Sequence, residues 1–293
     1  MRQKSQKQTR KVSTQSVQEQ KGPPPLPALR DLILDAAHAS GKVLRRYYRS
    51  KLRIQEKPGA GLVTNADLEA QEAAVKILSK GFPLFGFLTE EAKPQKARCP
   101  GRWIIDPLDG TTNFVHGFPM FCVSIAAEWD GEIIAGTIYH PILEESYLAL
   151  KGRGATRNGQ KIHVSDTQKI ENALLTTGFT YQKEKLLQKE MKAFQKLSGV
   201  ARAVRRPGSA ALDLAYTAAG VFDAFWEQNL SPWDIAAGAL IVREAGGRVT
   251  NFQNQAFQLS DRALLASNTI LHPALLEEIN PGVDTRMKAT IFK

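Results

Sequence analysis

Along residues 28–48, ALRDLILDAAHASGKVLRRYY, the apolar positions Leu29, Leu32, Ile33, Ala36, Ala37, Val43 and Leu44 recur every three or four residues. That spacing predicts a helix packed through one stripe. A second helix is predicted inside GLVTNADLEAQEAAVKILSKGF (61–82). Ala66, Ala70, Ala73 and Ile77 form its apolar face, Val75 and Leu78 lie nearby, Thr64 or Asn65 caps it and Gly81 ends it. From about residue 84 to 165 the period shortens to that of strands. RWIID reads as a strand, and FCVSIAAEW and EIIAGTIYH flank a hairpin turn at Asp130-Gly131. ESYLALKGRGA continues the sheet, and ATRNGQKIHVS turns back at Asn158-Gly159. Two helices followed by an antiparallel meander predict an α+β layer.

After residue 165 strands and helices alternate. ALLTTGF reads as a strand, EKLLQKEMKAFQKLS as a helix, and GSAALDLAYTAAG as a helix capped by Ser209 and closed by Gly220. VFDAFWE is a strand. SPWDIAAGALIVREAGG is a helix with Ser231 as cap, Pro232 in its first turn and Gly246-Gly247 after its end. RVTNF and ALLASN are short strands. This half predicts an α/β layer.

Composition narrows the class. A chain of 293 residues with 43% hydrophobic content has enough apolar sequence for one large or two smaller globular units. No apolar run approaches a bilayer-spanning length, and the first residues lack the apolar core of a secretory signal, so a cytoplasmic protein is expected. Cys99 and Cys122 belong to no metal-binding cluster and read as reduced thiols. The charge is uneven. Arg2, Lys4, Lys7, Arg10, Lys11 and Lys21 face only Glu19, so residues 1–21 carry half of the net +10. This polar tail is expected to be disordered, with GPPPLP (22–27) as a stiff spacer. A basic tail can bind nucleic acid, but a solvated extension with no partner is the reading composition favours.

The chemistry concentrates in WIIDPLDGTTNF (103–114). An apolar strand ends in Asp106, Pro107 keeps Asp106 out of helical geometry, and Asp109-Gly110 turns the chain. Such a turn aims both carboxylates to one side and presents the N–H groups of Gly110 and Thr111 as an anion site. Carboxylates beside an anion site make sense when a cation lies between them. Taken singly, each acid has a plainer role. Asp106 and Asp109 can cap a turn, Glu90-Glu91 end another apolar run, and Asp67 and Asp234 complement helix N-termini.

Taken together, the segments LVTNAD (62–67), LTEE (88–91), WIIDPLDGTTNF, GRGATRNG (152–159), PGSAALDLA (207–215) and WDIAAGALIVREAGG (233–247) resemble the inositol monophosphatase family, within the lithium-sensitive, magnesium-dependent phosphatases. They occur in the family's order and cover most of residues 28–270. GTTNF after DPLD favours this branch over the 3′-phosphoadenosine branch, and TGF with SPWDIAAG resembles bacterial members. The resemblance implies a layered α-β-α-β-α sandwich of the sugar-phosphatase type. Residues 28–165 would carry most metal ligands, and residues 166–293 would carry Asp234 and substrate contacts.

The same resemblance implies roles. Glu90, Asp106 and the Leu108 carbonyl would hold one Mg²⁺, and Asp106, Asp109 and Asp234 a second, with a weaker third near Glu90. Asp67 and Thr111 would position and activate water, with Glu90 assisting. Asp109, Gly110, Thr111, Ser209, Ala210 and Glu227 would contact substrate, and Glu91 would support the ligands. Five converging acids would repel one another unless hard cations lay between them. The expected activity is hydrolysis of inositol monophosphates by a homodimer that binds no membrane. Fructose-1,6-bisphosphatase, histidinol-phosphate phosphatase and 3′-phosphoadenosine phosphatase activities are the alternatives. Association with RNA or transcription machinery through residues 1–21 is the alternative of a different class. Arg205 and Arg206 are candidates for a second phosphate, and His116 for a minor role. Gly61 stands where an aspartate often precedes LVT, and Thr89 where glycine is common. Both departures spare the ligands but bear on metal affinity and lithium sensitivity.

Overall fold

The computed structural model describes residues 22–57, 61–179 and 185–285, so the tail 1–21 lies outside the described residues. Helix α1 (Leu26–Tyr47) begins earlier than its apolar stripe predicts, and the spacer ends at Pro25 rather than residue 27. Pro27 fits the first helical turn because its missing N–H would have no partner there. Helix α2 (Asn65–Gly81) packs against α1 and is capped by Thr64. Its buried face is Ala66, Ala70, Ala74 and Leu78, so the predicted Ala73 and Ile77 flank the contact instead. The stripe turns because two polar residues, Asp67 and Gln71, also face inward. Gln71 does so to accept the Glu91 N–H at 3.2 Å. Ahead of α2, β1 (Ile54–Lys57) and β2 (Gly61–Thr64) form an antiparallel ribbon that the apolar pattern does not reveal.

The meander forms one seven-stranded sheet in chain order: β3 (Gly86–Thr89), β4 (Gly101–Asp109), β5 (Cys122–Trp129), β6 (Glu132–His140), β7 (Glu145–Leu150), β8 (Ala155–Arg157) and β9 (Gln160–Ile162). Only β3 and β4 run parallel within it. Both predicted hairpins turn through two residues of positive φ, Asp130 (52°) with Gly131 (80°) and Asn158 (49°) with Gly159 (78°). That is the geometry for which Asp-Gly and Asn-Gly are selected.

The second sheet holds β10 (Leu174–Thr177), β11 (Ala203–Arg205), β12 (Ala224–Gln228), β13 (Arg248–Thr250) and β14 (Ala263–Ser267) in the order β11-β10-β12-β14-β13. It is parallel around β10 and antiparallel at β14. Helices α4 (Lys185–Val200), α5 (Ala210–Ala218), α6 (Pro232–Glu244) and α7 (His272–Ile279) accompany it; α7 and β11 carry too little periodicity to have been predicted.

The layers follow from which faces are apolar. α1 and α2 cover the outer face of the first sheet, α5 and α6 lie between the sheets, and α4 and α7 pack on the far side of the second. This is the α-β-α-β-α order. Helix α6 occupies the centre because it is apolar all round, with every residue from Ile235 to Val242 buried. Its close approach to β6 requires a glycine there: a Cβ on Gly136 would lie 2.9 Å from Ala237 Cα. Gly136→Ala should therefore overpack this seam and lower unfolding free energy by about 1–3 kcal/mol, read from the shift of a urea-unfolding midpoint. Among the described residues no helix is long and apolar enough to cross a membrane.

Candidate active site

Residues three apart on a regular strand point to opposite faces. Strand β4 breaks that rule where the chemistry needs it. Asp106 pairs with Ser124 and Asp109 with Cys122, so β4 advances three residues while β5 advances two. The extra residue is a bulge, and it brings both carboxylates to the same side. Pro107 sits within it, where a missing N–H disturbs no regular ladder.

After the bulge Gly110 turns the chain at φ 92° into the short helix α3 (Thr111–Val115). A Cβ at Gly110 would fall 2.7 Å from the Met120 carbonyl oxygen, so no other residue fits without displacing backbone. Asn113 then clamps the surroundings, donating from Nδ2 to the carbonyls of Met120 (2.7 Å) and Pro207 (2.8 Å). The start of α3, with Thr111 and Thr112, therefore faces the start of α5, with Ser209 and Ala210, across one cleft of about 270 Å³. Ser231, Trp233 and Asp234 bring the start of α6 to the same cleft. The three N-termini contribute partial positive charge where an anion would sit.

Glu90, Asp106, Leu108, Asp109 and Asp234 all line this cleft, together with Gly110, Thr111, Ser209, Ala210 and Glu227. Residues from 90 to 234 in the chain are thus brought together. Each acid is held by its own local contact. Asp106 Oδ1 accepts the Leu108 N–H at 2.9 Å. Asp109 Oδ2 accepts from Ser209 Oγ at 2.6 Å and the Ala211 N–H at 2.7 Å. Asp234 Oδ2 accepts the Ser231 N–H at 2.7 Å, closing the first turn of α6. Asp67 makes the equivalent contact at the start of α2, accepting the Thr64 N–H at 2.8 Å and its hydroxyl at 2.6 Å.

Asp67 lies behind the cleft wall rather than on it. Its Oδ1 is 3.2 Å from Thr111 Oγ1, which is also 3.0 Å from the Leu108 carbonyl. His116 is exposed and outside the cleft lining. Arg206 lines the cleft whereas Arg205 does not. Gly61 lines it at φ 93°, a conformation that would strain an aspartate.

The electrostatics reflect crowded acids. Burial pushes Asp106 well above the usual carboxylate range, and the charges of Glu90, Asp109 and Asp234 push it further. Asp234 is raised by burial and then by Asp109. Burial raises Asp109 to about 6 against the pull of its Ser209 and Ala211 hydrogen bonds. Asp67 is raised by burial, opposed by Thr64. Burial lifts Glu91 to about 7 although Lys57 pulls it down. Lys57 answers part of this charge, its Nζ lying 3.0 Å from Glu90 Oε1 and 2.5 Å from Glu91 Oε1.

Among the described residues no three His, Cys, Asp or Glu side chains form a finished metal cage. The donor set nevertheless suits a hard divalent cation: all-oxygen, rich in carboxylate, mutually repelling, and already drawing in an ammonium at Glu90. A larger hollow of about 670 Å³ lies between α1, β7 and β8. It contains none of these acids, and its own Glu144 is tied to Arg45.

Sequence reasoning missed Asn113, Lys57 as a partner of Glu90, and Arg262, which also lines the cleft. Asn113 had a local signal, a short amide in the first turn after a glycine. Arg262 had none, because it precedes β14 and only the pairing of β12 with β14 brings it to the site.

The layered fold and this acid-lined cleft define one class of protein, and the chain belongs to the inositol monophosphatase family, whose profile matches residues 28–285. That family is one of metal-dependent phosphatases. The chain is 39% identical over 265 residues to the Nus factor SuhB of Pseudomonas aeruginosa, covering 88% of this chain and 98% of the relative. It is 38% identical over 253 residues to an inositol-1-monophosphatase of Caulobacter vibrioides, covering 84% and 99%. Among solved structures, the extragenic suppressor protein suhB of Bartonella henselae superposes with a TM-score of 0.84 at 39% identity, covering 87% of this chain and all of that one. The inositol monophosphatase of Anabaena gives 0.76 at 36% identity, with 87% and 96% covered.

Proposed function

We propose that the protein is a Mg²⁺-dependent phosphomonoesterase that hydrolyses inositol monophosphates to inositol and phosphate. The observation that carries this is the meeting of Asp106 and Asp109, aligned by the β4 bulge, with Asp234 and Glu90 in one cleft bordered by helix N-termini. Asp106, Asp109, Asp234, Glu90 and the Leu108 carbonyl would hold the cations. Bound Mg²⁺ supplies charge stabilisation for the phosphoryl oxygens and the departing alkoxide, and eases ionisation of water. The chain's own groups do the rest. The N–H groups of Gly110 and Thr111 receive phosphate. Thr111 Oγ1 and Asp67, in hydrogen-bond contact, orient the attacking water and take up its proton. An aspartate raised by burial is a better proton acceptor than an exposed one. Glu227, Ser209 and Ala210, on the opposite wall, orient the polyol.

The test is a panel of inositol phosphates, fructose bisphosphate, histidinol phosphate and phosphoadenosine phosphate, each assayed for phosphate release with Mg²⁺ and with EDTA. Inositol monophosphates should have the highest kcat/KM and EDTA should abolish release. A higher kcat/KM for another member of the panel would reassign the substrate.

A second reading is favoured by the Nus factor names of relatives at 36–39% identity and by the basic residues 1–21. Deleting residues 1–21 should leave phosphatase activity within about twofold, since helix α1 with its Pro25 cap stays whole and no cleft residue precedes Gly61, and should remove any salt-sensitive RNA binding. RNA retention unchanged by the deletion would exclude the tail as the binding element.

A further inference from the structure

The hold on Asp109 crosses the fold. Asp109 ends β4, while the groups that hold it stand at the start of α5. Ser209 caps that helix from extended backbone, φ −144° and ψ 102°, and its hydroxyl oxygen accepts the Leu212 N–H at 3.4 Å. An ionised carboxylate only accepts hydrogen bonds, so in the 2.6 Å contact Ser209 Oγ–H donates to Asp109 Oδ2. A hydroxyl has a single proton to donate. Ser209 therefore has none left for a polyol oxygen, and it is only 1% exposed. What it offers the polyol wall is backbone.

The Ser209 hydroxyl and the Ala211 N–H, at 2.7 Å, together engage both lone-pair positions of Oδ2. Oδ1 is the oxygen that remains for a cation. Cys122 closes the far side, with Sγ 3.9 Å from Oδ2 and 3.7 Å from Ser209 Oγ. Cys122 is fully buried, so bulk water does not take the place of the hydroxyl where it is lost.

We propose that Ser209 is a positioning residue for the cation site: its hydroxyl fixes which oxygen Asp109 presents to a divalent ion. This deepens the phosphatase reading above and rests on it for the presence of the cations. Outer hydrogen bonds orient a ligating carboxylate, and their loss commonly costs about 10–100-fold in metal affinity. The hydroxyl of Ser209 thus belongs to metal affinity and not to KM for the polyol.

The experiment titrates Mn²⁺ into the metal-free full chain by electron paramagnetic resonance, for wild type, Ser209→Ala, Ser209→Gly and Ser209→Thr. Phosphate release from inositol 1-phosphate is followed beside it as Mg²⁺ is varied. Loss of the hydroxyl should raise the Mn²⁺ Kd about tenfold in Ser209→Ala and Ser209→Gly alike, and raise the half-saturating Mg²⁺ to match. Glycine caps a helix nearly as well as serine, so Ser209→Gly separates the orientation of Asp109 from the capping of α5, and it carries the reading if Ser209→Ala does not fold. Ser209→Thr keeps the hydroxyl and should bind Mn²⁺ within about threefold of wild type. KM for inositol 1-phosphate at saturating Mg²⁺ should stay within about twofold in all three. Thr217→Val removes another buried hydroxyl of α5, one that donates to the Asp213 carbonyl at 2.7 Å outside the cleft lining, and should leave the Mn²⁺ Kd near wild type. An unchanged Kd in Ser209→Gly overturns the proposal, and a KM that rises while the Kd stays constant assigns the hydroxyl to the substrate instead. An equal rise of Kd in Thr217→Val reduces the effect to stability and overturns it as well. A wild type that binds Mn²⁺ yet releases no phosphate would overturn the phosphatase reading, while the Kd comparison still decides this proposal.

Discussion

Asp106→Asn should reduce Mg²⁺-dependent phosphate release by roughly 10²–10⁴-fold while raising the melting temperature of the metal-free protein. The two effects share one cause. Asp106 is crowded by like charge: Glu90, Asp109 and Asp234 all press on it, and it is itself buried. With cations bound, its carboxylate would be one of the groups that hold them and offset their charge. Removing a buried group that compensates charge costs about 3–5 kcal/mol, and each 1.4 kcal/mol is tenfold in rate. Without cations the same carboxylate only repels its neighbours, so an amide of equal size relieves the metal-free fold. Asparagine keeps the carbonyl oxygen that accepts the Leu108 N–H. Phosphate-release kinetics and a thermal melt in EDTA check the two signs. A variant that keeps turnover, or that melts lower than wild type in EDTA, contradicts this account of the site.

The stabilisation given by Mg²⁺ should grow with pH across the range from about 5 to 8. Asp109 is raised to about 6 and Glu91 to about 7, and Asp106 and Asp234 are raised well above their ordinary value. A carboxyl whose folded pKa exceeds its unfolded one contributes stability that is complete below the unfolded pKa, near 4. That contribution is lost as pH rises through the folded pKa. The EDTA-treated protein therefore loses this contribution between about pH 4 and pH 7, and the loss continues higher for the more strongly raised pair. Cations bind the ionised forms and reverse it. At a hundredfold excess over Kd the linkage is worth about 2.7 kcal/mol, or roughly 5–10 °C for a chain of this size. Melting curves with Mg²⁺ and with EDTA at several pH values measure the gap, and the difference cancels groups outside the site. The gap should narrow toward pH 5 and widen toward pH 8. A gap that is constant across that range would mean that the acids do not meet the metal.

Much of this site was legible in the chain, for reasons that particular residues show. The segment WIIDPLDGTTNF announces a buried strand, a proline and a turn. Where the two aspartates finally point depends on a bulge against Ser124 and Cys122, and that pairing is not local. The hairpins at Asp130-Gly131 and Asn158-Gly159 were legible because positive φ restricts the residues that can turn there. Helix α2 was found, but its face was misjudged by one position, since a periodicity count treats Asp67 and Gln71 as outward and both are buried. Lys57 was hidden for a related reason. Nothing in EKPG says that its amine will lie on Glu90.

The most direct measurement is an anomalous difference map from crystals grown with Mn²⁺ in place of Mg²⁺. The expected map has a peak between the carboxylates of Asp106 and Asp109, at roughly 2.0–2.2 Å from ligand oxygens, with Asp234 in the same coordination shell and Lys57 withdrawn from Glu90. A map with no peak at that position, or with Asp234 turned away from it, would contradict the convergence of these acids on a shared cation.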